Sequence, residues 1–547
     1  MTMKNRMKYW TVAALMPLAF ASCDDFLDKD PDNRVYLDSP EFVEKLLVSA
    51  YPEADFAFCE AMSDNAGDRG LSSILNDPEI EQPYLWRTSS ETYQGTSTNY
   101  WMNAYAAIAA TNHALEAIEK FEAEGRGEEV RHARGEALLC RAYAHFMLAN
   151  LFCAPYNPAT ADTELGIPYA TDPETTLDPL YHRGTLAETW QKIEDDLLEG
   201  IDLLPASYKE APAYHFTRKA AYVFASRYYL WKGGDENFRK ALEYANRVLG
   251  DVHTGTLTTA SMLRQLNDPA SDYMGDYYDA QTRYTSSAEP ANLLLVACIS
   301  NMSYQPYWRY GLTAGIRQTV YLNGIFGYDW AFKTAGGYDY LIHRPIWRSY
   351  FQQISLNANI GYYVAVIPLI TMEEALFNRA EANALLGNYD EALSDMNTYL
   401  SKRLDLNSWG GKPIVARDVM FHYGKNTSNA DWKSTIRLKP YFRDFTAIEN
   451  GDQDTCYAYV NALLVMRRAE YLGTGFRWFD IRRYDIPVVH TSATHPTDTL
   501  KSGDLRRIIQ VPDQSQGSGI EPNPSDPTRI PASVQQAAMS NGFATVN

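Results

Sequence analysis

The sequence predicts a mainly α-helical chain: an irregular, tetratricopeptide-like scaffold of helical hairpins, interrupted by long insertions of loop and short strand. Three observations carry this. Apolar residues recur at three- and four-residue spacing through several long segments. Chain-breaking residues fall between those segments: Gly125 and Gly127, Pro205, Gly233–Gly234, and Gly387–Asn388. Two hairpins also share a local pattern, in which Phe238 or Tyr389 sits three residues before Ala241 or Ala392 near the start of the second helix. A small Ala there lets two helices approach closely, as in tetratricopeptide repeats, although no strict period of about 34 residues runs through the chain.

In chain order, the first element is a targeting segment. Lys4, Arg6 and Lys8 form a positive head, Tyr9–Ala21 a mostly apolar run, and Ala21-Ser22-Cys23 a small-residue boundary. This is the pattern of a secretory signal, and the run is shorter than the ~20 residues of a membrane span. A Cys after two small residues resembles a bacterial lipobox, with Phe20 where Leu is usual. Residues 1–22 are therefore expected to be a signal peptide and Cys23 the lipidated start of a single domain over 23–547. Residues 24–40 read as a tether, and residues 61–100, rich in Gly, Asp, Asn and Ser, as a long irregular loop of the functional kind.

Helical hairpins are expected at about 99–152, 185–250, 371–404 and 455–484. The first begins near Asn99 with Trp101, Tyr105, Ile108, Asn112 and Leu115 on one stripe. Thr185, with Glu188 three residues on, reads as a capping box. Between the second and third hairpins, about 251–370, lies an aromatic-rich insertion. Its stretch from Tyr273 to Tyr350 holds 12 Tyr and 3 Trp in 78 residues, about twice the chain average, which makes it the candidate ligand-binding region. From about 510 to 547 the chain reads as extended coil.

Composition removes several functions. The formal charge is −19, and loss of the signal takes it to −22. That balance opposes nucleic-acid binding and docking on anionic lipid. Lipidation of Cys23 would leave five of the six cysteines, and no Cys-x-x-Cys occurs, so neither a disulfide framework nor a zinc ribbon is implied. There is no His-Glu-x-x-His, P-loop or Gly-x-Ser-x-Gly motif. His490 and His495 read as solvated loop residues, and the pairs Asp195-Asp196 and Glu373-Glu374 as solvent-facing helix positions. No enzyme and no cofactor is implied, and no metal-ligand set stands out.

One segment carries a specific likeness. Arg468-Ala469-Glu470-Tyr471-Leu472-Gly473-Thr474-Gly475-Phe476-Arg477-Trp478-Phe479-Asp480-Ile481-Arg482-Arg483 resembles the C-terminal signature of the SusD/RagB family, with Tyr471 for the usual Leu and Thr474 for the usual Glu. Cys23-Asp24-Asp25-Phe26-Leu27-Asp28, the helices over 134–152 and 375–397, and Gln510-Val511-Pro512 agree in order. Within the signature Glu470, Gly475, Arg477 and Asp480 read as architecture: Gly475 breaking a helix, Arg477 reaching Asp480 or a helix end.

The resemblance implies a non-catalytic, lipid-anchored protein of the outer-membrane cell surface. It would capture a glycan, an oligo- or polysaccharide, and deliver it to a SusC-like TonB-dependent transporter. The alternatives are a peptide-binding protein of the same uptake type and an envelope protein-interaction scaffold. Sugar rings present C–H faces that stack on flat aromatics, while their hydroxyls need polar partners. Tyr304, Tyr307 and Trp308, with Tyr328 and Trp330, supply both kinds of group and are the expected ligand contacts. Family members also present ligand groups from the loop before the first long helix, where Trp86, Asp64, Asn65 and Asp68 are the candidates.

Overall fold

The computed structural model describes residues 39–524, apart from 73–77, 90, 175–180, 206–211, 251–262, 265, 267–276, 337–340, 356–359 and 425–452. The signal segment, Cys23 and the coil beyond residue 524 lie outside the described residues.

Three short helices, α1 (Pro40–Leu47), α2 (Ala57–Met62) and α3 (Pro78–Tyr84), precede the long pair α4 (Ser97–Ala123) and α5 (Gly127–Phe152). Then come α6 (Leu186–Leu203), α7 (Arg218–Lys232), α8 (Asp235–Leu249) and α9 (Tyr277–Tyr284). The C-terminal half adds α10 (Met372–Leu386), α11 (Tyr389–Leu400), α12 (Ala416–Tyr423), α13 (Gln453–Glu470) and α14 (Arg477–Arg483). The stretch 61–100 is thus partly helical, because α3 folds onto α2 within it.

Local chemistry sets the helix ends. Thr96, Thr217 and Thr371 each accept a backbone N–H from the third residue on, capping α4, α7 and α10. The capping box is present: Thr185 Oγ1 accepts from Glu188 N at 3.1 Å, and Glu188 Oε2 from Thr185 N at 2.9 Å. α5 packs between α4 and α6. The α5–α6 crossing is tight because Gly135 and Gly200 face each other: a Cβ on either would stand 2.9 Å from the other's carbonyl oxygen. In the two repeat-like hairpins, α7–α8 and α10–α11, Phe238, Ala241 and Ala392 are buried at the helix contact, and α10 stacks on α8.

The insertion contributes a three-stranded antiparallel sheet of order β2-β5-β4, where β2 is Asn292–Ile299, β4 Tyr350–Gln353 and β5 Gly361–Thr371. Short strands were expected, but β5 has 11 residues and runs straight into α10, with Thr371 as both its last residue and the helix cap. Two small ladders complete the strands: β1 (Gly67–Asp68) with β3 (Tyr310–Gly311), and β6 (Val488–His490) with β7 (Asp498–Leu500).

Helix α10 is buried from Met372 to Leu385, and the expectation that Glu373-Glu374 faces solvent is overturned. α7, α8, α11 and α13 surround it, so every charge on it needs a protein partner. Glu373 takes Arg264 at 2.8 Å and Arg403 at 3.0 Å. Glu374 accepts from Arg227 Nη2 at 2.6 Å. Arg379 forks onto Asp395 at 2.9 and 2.6 Å. Glu381 meets Arg483 at 2.9 Å and the Tyr484 hydroxyl at 2.5 Å. Asp196 is likewise buried, on Arg141 at 2.7 Å. Removing one member strands the other. Glu374→Ala, which leaves Arg227 without its carboxylate, is expected to cost about 3–5 kcal/mol. The check is a lowered urea midpoint with an unchanged slope, beside Glu119→Ala on the exposed face of α4 as a neutral control.

Candidate functional site

The insertion reaches the surface at a 3-10 turn, Met302–Tyr307, directly after β2. Tyr304 and Tyr307 are about two-fifths exposed, with ring centroids 6.5 Å apart and planes at 51°. Two further exposed tyrosines flank them. Asn301 Nδ2 donates to the Gln94 carbonyl at 3.3 Å, which ties the turn to the segment carrying Tyr93. The Ser303 and Ser349 hydroxyls are hydrogen-bonded, which ties it to Tyr350 at the start of β4. Four exposed phenols thus lie on three segments joined at this turn, and Arg348 lies over the Tyr350 ring at 5.0 Å.

The turn is rooted at both ends. At its start, Asp55 accepts from Ala57 N at 3.0 Å and from Ser300 Oγ at 2.5 Å, and Ser300 Oγ accepts from Met302 N at 3.2 Å. Burial pushes the Asp55 carboxyl up despite these donors. At its end, Arg309 forks onto Asp68 at 2.9 and 2.7 Å, and β1 pairs with β3, Asp68 opposite Tyr310. Burial works against the Asp68 charge, but Arg309, Ala493 N and Gly70 N donate to it and hold its pKa down at about 2. Arg69, next in sequence, directs its guanidinium at backbone carbonyls of this same stretch.

The candidates from the earlier loop are struts. Asp64 takes Arg477 at 2.9 Å on each oxygen, and burial notwithstanding, Arg468 and Arg477 hold its carboxyl far below the usual range. Asn65 Oδ1 accepts from Arg468 Nε at 2.8 Å. Asp68 is the Arg309 partner. Trp86, 2% exposed, donates its indole N–H to the Met62 carbonyl at 2.9 Å. In the insertion, Trp308 is 2% and Trp330 7% exposed, so neither presents a ring face to solvent. Tyr328 is half-buried against the core, its backbone bridged to Ile325. Only Tyr304 and Tyr307 of the expected contacts stand at the surface. His490, read as solvated, is buried between Tyr84 at 4.0 Å and Trp86 at 4.3 Å, stacked nearly parallel to both.

In the C-terminal signature one contact differs from expectation: Arg477 reaches Asp64, while Asp480 is held by Arg467 at 3.2 Å and Arg483 at 3.0 Å. Glu470 is clamped by Arg403 at 2.7 Å, and despite burial Arg403 and Arg344 keep its pKa at about 2. Gly475, at φ +84°, lies so close to α2 that a Cβ would meet the Phe56 carbonyl oxygen at 2.5 Å. Its N–H and that of Gly473 donate to Glu60, which burial nonetheless raises to about 7.

Sequence reasoning missed Tyr93, Tyr350, Arg69 and Arg309. The two tyrosines carried a weak signal, each beside small polar residues in a non-helical stretch; the two arginines carried none. Among the described residues no group of three or more His, Cys, Asp or Glu side chains is placed to hold a metal ion.

Residues 25–230 match the model of a SusD-like family described as "Starch-binding associating with outer membrane". No curated protein matches the sequence. Solved structures do. A SusD superfamily protein from Bacteroides thetaiotaomicron is similar at 15% identity and TM-score 0.59, covering 90% of this chain and 100% of that one. A putative sugar binding protein from Bacteroides vulgatus is similar at 17% identity and TM-score 0.59, over 89% and 97%. A SusD-like carbohydrate binding protein from the same species is similar at 16% and 0.56, over 88% and 96%. At such identities the superpositions define the fold, which is that of the SusD superfamily. The family model covers fewer than half of the residues, those from 25 to 230, and over the rest of the chain the likeness to SusD superfamily structures is one of fold.

The Asp68 fork has an acid signature. Its folded pKa, about 2, lies below the ordinary 3.8, so the stability it adds is present above pH 4 and lost as pH falls towards 2. Measured by urea unfolding at a series of pH values, the stability gap between the parent and Asp68→Asn is expected to close between pH 4 and pH 2.

Proposed function

We infer that this protein is a non-catalytic glycan receptor of the outer-membrane surface, anchored through Cys23, which hands its ligand to a SusC-like TonB-dependent transporter. The observation that carries the reading is the cluster of half-exposed tyrosines on a braced turn. Phenol rings supply flat apolar faces for the C–H faces of sugars and hydroxyls for the rim. The carboxylates that root the turn, Asp55 and Asp68, are bound to Ser300 and Arg309, so neither stands free as a general acid or base. The family description, starch-binding associating with the outer membrane, and the sugar-binding names of similar structures support the ligand class and the location. No described helix is long and apolar enough to cross a membrane, which fits attachment through a lipid.

A peptide ligand is the second reading, favoured by one feature. Strand β4 is the outer strand of its sheet, and all four of its residues, Tyr350–Gln353, are exposed and uncharged. An extended peptide could pair along that edge.

The test is a glycan-array and affinity-gel screen with a peptide library as the second arm. Retention by a glycan, with Tyr304→Ala and Tyr307→Ala each weakening it about 3- to 10-fold at unchanged melting temperature, is the expected result. Trp308→Ala and Trp330→Ala should instead lower the melting temperature, since both rings are core. Binding confined to peptides would replace the glycan reading with the second one.

A further inference from the structure

We propose that Arg69 is the positioning residue of the tyrosine site: its guanidinium serves as a built-in cation, around which the ligand-bearing turn is folded. The proposal deepens the glycan-receptor reading, whose site is this same turn.

The geometry is unusual for a half-buried arginine. Nη1 donates to the carbonyls of Gln305, Pro306 and Trp308 at 3.1, 2.9 and 3.0 Å. Nε and Nη2 donate to Leu312 O at 3.1 and 2.9 Å, and Nη2 also to Ile342 O. Five carbonyl oxygens therefore share the five N–H groups of one side chain, and four belong to residues 305–312, which begin inside the turn. Among the described residues no carboxylate pairs with this guanidinium. Burial lowers its pKa to about 10, which leaves it charged at neutral pH.

A ring of backbone carbonyls is what a hard cation such as calcium accepts. Here a covalently attached cation fills it, so the turn keeps its shape with no exchangeable ion at that place. Carbonyls pointed at one spot repel one another, and a charge-assisted bond to each relieves that repulsion. The chain also makes room: a Cβ on Gly311 would stand 3.1 Å from the Arg69 Cζ and Nη2 atoms, so the glycine lets the guanidinium lie flat against β3. The neighbouring Asp68–Arg309 fork and the Arg69 N to Arg309 O bond at 2.9 Å fix where Arg69 enters the ring. Tyr304 and Tyr307 stand on the segment so held, so their spacing depends on a residue that touches no ligand.

The experiment is amide hydrogen exchange across 302–312, with β2 as internal reference, on the parent, Arg69→Ala, Arg69→Lys and Gly311→Ala. Arg69→Ala is expected to speed exchange in 302–312 by about tenfold or more while β2 stays protected. Guanidinium ion, far below unfolding concentrations, should restore protection where equal sodium chloride does not. Arg69→Lys should recover only part, because an ammonium has three donors on a point charge. Gly311→Ala, which keeps the charge but displaces it, should loosen the same segment more weakly. A chelator should leave the parent unchanged. Unaltered exchange in Arg69→Ala, loosening spread evenly over the chain with no guanidinium rescue, or chelator sensitivity of the parent would each overturn the proposal. Glycan affinity is measured on the same samples. If the parent binds no glycan while exchange follows the expected pattern, the receptor reading fails and the positioning role stands.

Discussion

The fold depends on one constraint, the neutralisation of charges along a helix that has no solvent face. Glu373, Glu374, Arg379 and Glu381 lie on α10, and each meets a partner from a different part of the chain: Arg264 and Arg403, Arg227, Asp395, and Arg483. An unpaired charge in such a setting costs several kcal/mol, so these segments must all be in place together. Generic apolar packing would tolerate a helix sliding by a turn; five specific ion pairs would not. The site inherits its position from this arrangement. β5 leads without a break into α10, β2 pairs along β5, and the tyrosine turn leaves the end of β2. The charged helix thus sets where the exposed tyrosines of the turn stand, although it is far from them in sequence.

What the sequence made legible was local. Thr185 and Glu188 announced a cap because both partners lie within one turn. Phe238 with Ala241 and Tyr389 with Ala392 announced helix contacts because the spacing is three residues. The signature around Gly475 could be read as architecture, since a glycine flanked by arginines and aromatics suits a tight chain crossing. What failed were inferences that need distant partners. Glu373-Glu374 looks like the first, solvated turn of any helix until Arg264, Arg403 and Arg227 are folded onto it. Asp64 and Asp68 look like ligand groups until Arg477 and Arg309 arrive, 413 and 241 residues away. A tryptophan carries the same surface whether it packs a core or faces a sugar, so nothing in the local pattern around Trp308 or Trp330 told them from Tyr304 and Tyr307.

The shape of the site bears on how it binds. The cleft beneath the turn, lined by Arg69, Trp308 and Leu312 among others, has about 360 Å³ of free space even with its open mouth included. That lies near the lower end of the ~300–1,000 Å³ of enclosed small-molecule pockets, and much of it is mouth. The exposed tyrosines make a surface, and a surface holds a ligand by covering one side of it. Affinity then depends on how little ordering the rings undergo on contact. Pro306 within the turn, the Asp55–Ser300 root and the Asp68–Arg309 fork remove most of that ordering before any ligand arrives.

Charge narrows the choice of ligand. Among the described residues the buried charges nearly cancel, with eleven arginines against thirteen aspartates and glutamates. Those buried groups therefore account for little of the chain's net −19. Against that background, residues 298–308 and 349–355 contain no charged side chain, only rings, hydroxyls, amides and small apolar groups, and the charges beside them include Arg348, over the Tyr350 ring, and Glu91, two residues before Tyr93. A polyanion approaching the turn would lack a free cation in these two segments, since Arg309 is bound to Asp68 and Arg69 to the backbone, while the adjacent Arg348 is engaged with the Thr282 hydroxyl and the Tyr350 ring. A neutral chain rich in hydroxyls needs no such cation, and each group it offers, C–H face or O–H, has a counterpart on the turn. The internal use of arginine and the uncharged surface of the turn therefore go together: the guanidiniums nearest to it in the chain, Arg69 and Arg309, are taken up by backbone carbonyls and by Asp68.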